Sequence, residues 1–304
     1  MSSRIVVRQC LLEFHCDPNR MRCARLSLVS TLGVVVLVFL GQSFGALLSA
    51  TNPQLDADQL ARDVFRNEIA AAIHDQSLWC YHKLREEAGK EKLIDVCQTK
   101  DGEIERLLKV NGQELNPKQR QAEDQRILRL LNHPDQLRQE QKKQQEDSKQ
   151  TQDLMRMFPE AFRFQYEGVE GNLVKLRFFP SPDFHPSGRP AQVLRHLEGH
   201  LLVDAKQKRL AEIDGQLTSE VKFGWGLLGH LGKGGTFLVK QQDVGSGHWE
   251  LTAMDVEMNG KALFFKTISV RENETCTDFR QLPDDINAAK AFELLRQAST
   301  RRCC

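Results

Sequence analysis

The spacing of hydrophobic and polar positions changes period several times along this chain. In "LDADQLARDVFRNEIAAAIHDQ", Leu60, Val64, Ile69 and Ile73 recur at roughly one helical turn. Asp56 or Asp58 stands where an N-cap belongs. The pattern predicts an amphipathic helix over about 56–75. The period then drops to two. "LWCYHKLREEAGKEKLIDVCQTKDGEIERLLKVNG" predicts three short strands, with turns at Ala88-Gly89 and Asp101-Gly102 and an end at Asn111-Gly112.

A helical pattern returns after Pro117, with Ile127, Leu128, Leu130 and Leu131 on one side, and Pro134 interrupts it. From Arg138 to Asp153 no residue is apolar, and ten Gln lie between 119 and 152. Such a run has little to bury, so 116–157 reads as a helical insertion that is either a solvated arm or partly disordered. An arm that docks an envelope protein partner is the alternative to plain solvation.

From Ala161 onward, seven alternating segments run from "AFRFQYEG" to "KALFFKTISVRE". Turns fall at Glu170-Gly171, Ala205 to Lys208, Gly245 to Gly247 and Asn259-Gly260. Consecutive strands on short turns predict an antiparallel meander, not a parallel nucleotide-binding sheet. A last helix is expected near Asp285–Gln297, followed by a tail at 299–304. The sum is an α+β chain: one β-rich domain over 51–298, a curved antiparallel sheet with helices covering one side.

Two hairpins carry more detail. A two-residue turn at Asn259-Gly260 would pair Met258 with Lys261, Val256 with Leu263, and Met254 with Phe265. One face then holds Met254, Val256, Leu263 and Phe265. The other becomes apolar away from the turn, through Trp249, Leu251, Ile268 and Val270. A ribbon apolar on both faces must be wrapped by helices or curl around something. Core packing and a ligand cavity lined by these residues, with Trp225 and Phe237, are both open readings. In the other hairpin, a turn at Ala88-Gly89 sets Cys80 opposite Cys97. Opposed Cβ atoms lie about 4.5–5.5 Å apart, so a disulfide is open to them in a close pair, and two separate thiols are the alternative.

The chain has 304 residues, 42 basic and 41 acidic, and a net charge of +1. That balance gives no electrostatic footprint for nucleic acid. The N-terminus changes the picture. "MRCAR" precedes an uncharged stretch from Leu26 to Gln54 that ends in small residues. This reads as a signal peptide over 1–50, with Met21 as a better start and cleavage after Gly45 or Ala50. The expected compartment is the periplasm. An uncleaved inner-membrane anchor is the alternative, because the run is long enough to span. Of eight Cys, three precede the cleavage sites, leaving five, too few and odd for a disulfide scaffold. Export would still permit a bridge.

Candidate chemistry is thin. "FGWGLLGHLGKGGTF" holds six glycines and a Gly-Lys pair. A phosphate loop needs an earlier Gly where Leu227 stands, Ser or Thr where Gly234 stands, and a helix afterwards, whereas "TFLVKQQDV" alternates like a strand. "HLEGH" has its Glu in the wrong place for a zinc helix. On a strand, His196 and His200 would sit about 13 Å apart, so no metal ligands are assigned. No nucleophile elbow occurs. No catalytic residue, metal or cofactor is identified.

The segments "LEGHLLVDAKQKRLAEIDGQL" and "GHWELTAMDVEMNGKALFFKTISV" carry a resemblance. A strand ending in Val-Asp, a short turn and a later Trp-containing strand before a closing hairpin resemble the outer-membrane lipoprotein-sorting carriers of the bacterial periplasm, the LolA/LolB/LppX type. The pattern covers roughly Phe158 to Phe279. The chain is also similar to uncharacterised exported bacterial proteins with the same "KGGTFLVKQQ" segment. The resemblance implies an unclosed half-barrel, lidded by helices, that binds lipid or lipoprotein acyl chains without catalysis. The Gln-rich insertion departs from the simple carrier pattern. The rivals are an envelope structural or interaction protein with a solid core and, further off, a hydrolase.

Overall fold

The computed structural model describes residues 53–302 apart from 88, 224–228 and 263–265. The signal segment 1–50 and three cavity candidates, Trp225, Leu263 and Phe265, lie outside the described residues. Among those described, no helix is long and apolar enough to cross a membrane.

Helix α1 spans Pro53–His74. Its buried stripe is Ala57, Ala61, Val64, Phe65 and Glu68. The stripe read from sequence ran on to Ile73, which is 47% exposed. Glu68 takes the inward place because three donors satisfy its carboxylate: Arg209 through Nε at 2.8 Å and Nη2 at 3.2 Å, and the Leu210 amide at 2.9 Å. Asp58 does not start the helix; its Oδ1 accepts from the Phe164 amide at 2.9 Å.

Strands β1 (Leu78–Glu87), β2 (Lys90–Thr99), β3 (Gly102–Val110) and the two-residue β4 (Gln113–Glu114) follow as a meander. Glu87 pairs with Lys90, and the register carries Cys80 opposite Cys97. Their Cα atoms are 4.1 Å apart and the two are joined by a disulfide. The next turn is Lys100-Asp101, one residue earlier than the Asp-Gly signal suggests, because Gly102 already pairs with Thr99.

Helices α2 (Pro117–Leu131) and α3 (Pro134–Ala161) come next. Asn116 and Gln119 form a reciprocal capping box at the start of α2. The Gln-rich run is helical throughout. At 28 residues α3 is about 42 Å long. It acts as a strap. Leu137 near its start packs with Cys97 and Ile104, while Phe158 near its end packs with Phe65, Phe162 and Phe178.

The second half comprises β5 (Phe162–Glu170), β6 (Leu173–Pro180), α4 (Arg189–Leu194), β7 (Leu197–Asp204), β8 (Arg209–Leu217), β9 (Val221–Phe223), β10 (Gly229–Leu231), β11 (Thr236–Gly245), β12 (His248–Ala262), β13 (Lys266–Leu282) and α5 (Ala288–Arg302). All strands join one antiparallel, unclosed sheet in the order β4-β3-β2-β1-β13-β12-β11-β8-β7-β6-β5, with β9 and β10 attached through β12. The α2–α3 connection therefore runs from one edge of the sheet to the other. The fold is α+β, a curved half-barrel covered by helices.

The closing hairpin differs from the sequence reading. Asn259 and Gly260 are not a turn. They lie inside β12, opposite Ser269 and Ile268. Met258 pairs with Val270, Val256 with Glu272 and Met254 with Glu274, and Val270 packs in the same core as Met254 and Val256. The glycine has another reason to be there. Strand β10 crosses at Gly260, and a Cβ at that position would collide with the His230 carbonyl. Glycine in a strand interior marks such a close backbone approach.

Near each sheet edge a helical carboxylate accepts from one strand amide. On β3, Glu123 of α2 accepts from the Leu107 amide at 2.9 Å, and Arg126 donates to the Glu105 carbonyl at 2.7 Å. At the other edge, Asp58 of α1 serves β5 at Phe164. Unpaired edge groups are thus covered where the helices reach them.

Candidate functional site

Alternation along β11 turns Phe237, Val239 and Gln241 toward the helices. On β12, Val256 and Met258 point the same way. A bulge between Lys240 and Gln241 sets Gln241 opposite Leu251 rather than Thr252, which brings Leu251 inward as well. Above these strands lie Thr151, Leu154, Met155 and Phe158 of α3, Pro190, Val193 and Leu194 of α4, and Phe65 of α1. Together with residues of β7, β8 and β10 they line a half-open cavity of about 190 Å³. Sixteen of its eighteen lining residues are apolar, and none is charged.

Two of the sequence candidates, Phe237 and Val256, line this cavity. Met254, opposite Val239 on the same inward face, is buried in the same core but is not one of the residues that line the cavity. Phe237 reaches its place because Gly215 stands opposite it; a Cβ there would strike the ring. The lid comes mainly from α3 and α4, with Phe65 as the contribution of α1. Sequence reasoning missed Leu154, Met155 and Phe158. Their signal was present in "DLMRMF", where apolar residues resume at helical spacing after the Gln-rich run. It also missed Gln241, which occupies an inward position on β11 and is only 6% exposed.

A larger recess of about 870 Å³ lies between β3, α2 and α5. It mixes charged side chains with leucines. Arg106 binds Asp124 (Nε to Oδ1, 3.0 Å), and Lys109 faces Glu114 at 3.9 Å. These charges satisfy each other at the surface of the recess.

"HLEGH" makes no metal site. His196 bonds the Ser219 hydroxyl at 2.6 Å, and burial holds its imidazole below the ordinary pKa. His200 sits between Glu167 and Asp214, at 3.5 and 3.3 Å. Among the described residues, no group of three or more His, Cys, Asp or Glu is arranged to hold a metal ion.

The other end of the sheet is built from charge. Arg85 stands opposite Glu274, and Glu274 opposite Met254, so the three share a face. Arg85 pairs with Glu274, and Lys83 with Glu105. Lys83 and Glu274 are each 1% exposed. Burial works against charge on Lys83, but the carboxylates of Glu105, Glu274 and Glu103 together outweigh it and raise the lysine pKa. Burial pushes the neighbouring Cys276 thiol up to about 12, helped by Glu274, so it is no nucleophile at neutral pH. Tyr81 is likewise driven well above its ordinary pKa by burial.

No family model matches this chain, and no curated protein or solved structure matches it either.

Proposed function

We propose that the chain is a non-enzymatic, exported carrier that holds the apolar part of a lipid or acylated ligand between the α3–α4 lid and the concave sheet. The observation that carries this reading is the uncharged cavity bounded by β11, β12 and the two helices. Its lining suits hydrocarbon and penalises a buried ion. The Cys80–Cys97 disulfide and the signal-like N-terminal run support an oxidising compartment, the periplasm.

A volume of about 190 Å³ is below the roughly 300–1,000 Å³ of drug-sized sites, but a 150 Å³ apolar cavity takes benzene. The site thus suits one ring or the end of an acyl chain unless the lid opens further. The test is mass spectrometry of lipids co-purifying with the exported protein, joined to uptake of a fluorescent fatty acid. Val256→Asp should abolish uptake. Wild-type protein that neither carries lipid nor takes up the probe overturns the reading.

The larger recess beside α2 and α5, which mixes charged side chains with leucines, favours a second reading, an envelope interaction protein whose core is simply packed. Cross-linking from Arg120 to a protein partner, with no lipid recovered, would select it.

A further inference from the structure

We infer that the cavity receives a neutral group bearing one carbonyl, hydroxyl or amide, and that Gln241 is the residue that hydrogen-bonds it. This rests on the cavity reading above and specifies its ligand. The inward positions of β11 are Phe237, Val239 and Gln241, so two hydrophobic places are followed by an amide. Gln241 is 6% exposed and lines the cavity, its side chain makes no hydrogen bond to another described residue, and its amide is not among the fully sealed polar atoms, so it remains open to a small group. A buried amide without a partner is destabilising, and most such groups find one. The other polar lining residue, Thr151, donates its hydroxyl to the Asp147 carbonyl at 3.1 Å. The Gln241 amide offers both a donor and an acceptor. No charged residue lines the cavity, so nothing there balances a carboxylate or an ammonium. The ligand group that fits is therefore apolar in bulk, uncharged, and able to make one hydrogen bond. An ester carbonyl at the end of an acyl chain and a small aryl carbonyl share this chemistry.

The experiment uses the full chain and four probes in calorimetric titration: toluene, acetophenone, methyl octanoate and benzoate. Wild-type protein should bind acetophenone about tenfold tighter than toluene, the worth of one neutral hydrogen bond, and should not bind benzoate. Gln241→Leu and Gln241→Met should keep toluene binding and erase that ratio. Whichever of methyl octanoate and acetophenone binds tighter tells a lipid ester from an aryl source. The infrared carbonyl band of bound acetophenone gives a reading independent of the variants. It should shift to lower frequency in the wild-type protein. Toluene binding with an unchanged ratio in folded variants, or an unshifted carbonyl band, overturns the role of Gln241 and leaves the cavity reading standing. Failure of every probe to bind wild-type protein overturns both.

Discussion

Around Phe158 the interior is filled by rings, and around Lys83 it is filled by charges. Phe158 lies 4.3–5.1 Å, centroid to centroid, from Phe65, Phe162 and Phe178. Ring packing ties no atom to a single polar partner, so a cavity beside it costs the lining dispersion contacts but leaves no charge or hydrogen-bonding group stranded. The Lys83–Glu105 and Arg85–Glu274 pairs behave differently. Lys83 and Glu274 are the buried charges, each with a nearest partner of opposite sign, and losing that partner leaves much of the desolvation penalty uncovered. One end of the sheet can therefore host a guest by adjusting side chains, while the other fixes the register of β1 against β13. The α3 strap ties the two together.

The sharpest break of this comparison comes from removing one charge. Arg85→Met leaves Glu274 buried without its partner and should cost about 3–5 kcal/mol in chemical denaturation, whereas Arg85→Met with Glu274→Met should recover most of it. A double variant as unstable as the single one would show that the pair does not act as a unit. At the apolar end, Phe158→Ala should also cost about 3–5 kcal/mol, but truncating a neighbouring ring should deepen the loss instead of relieving it.

Next in size is the covalent staple. Cys80→Ser with Cys97→Ser opens a link of 17 residues' separation and should cost about 3 kcal/mol by the loop-closure argument. It should leave probe binding at the distant cavity unchanged. A loss of probe binding would mean that the two ends are coupled through the strap.

Filling the cavity should act in the opposite direction. Val256→Ile adds one methylene beside open volume and should change stability by less than about 1 kcal/mol, while weakening fatty-acid uptake. The same enlargement in a closed part of the core, Val203→Ile, should cost about 1–3 kcal/mol. Equal costs at the two sites would show that the cavity is not available volume.

The smallest effect is acid sensitivity near the junction of the two ends. Burial raises the Asp75 carboxyl, but hydrogen bonds from His248 and Ser77 outweigh it and bring the pKa from 3.8 to about 2. A depressed folded pKa gives stability that is complete above about pH 4 and is lost as pH falls toward 2. Asp75→Asn should flatten the stability profile across that window and leave its shape at neutral pH alone. Identical profiles would show that the Asp75–His248 contact, 2.9 Å long, adds no stability.

Much of the local architecture was legible in the sequence. The period change at Leu78, the Glu87–Lys90 hairpin pairing and the final helix all depend on neighbours in the chain, and those neighbours are visible. The candidate cavity was partly legible. Val256 follows from strand alternation, whereas Phe237 was named without a parity for its strand, and the register of β12 against β13 does not follow, because Asn259-Gly260 is a good turn pair and also an acceptable pair of strand residues.

What the sequence determined by itself was most of the set of elements: helix, hairpins, the helix after Pro117, meander, helix, with the Gln-rich run left open between helix and disorder. Each follows from spacing and turn chemistry that act over a few residues. What only the tertiary structure decided was which of two local options each ambiguous residue takes. Gly260 is in a strand because β10 needs a site without a Cβ. Glu68 faces inward because Arg209 and the Leu210 amide are there to receive it. The segment without an apolar residue from 138 to 153 becomes a strap because Leu137 and Phe158, on either side of it, anchor in separate cores. In each case the deciding partner lies far away in sequence, and its contribution to the free energy exists only once the sheet has assembled.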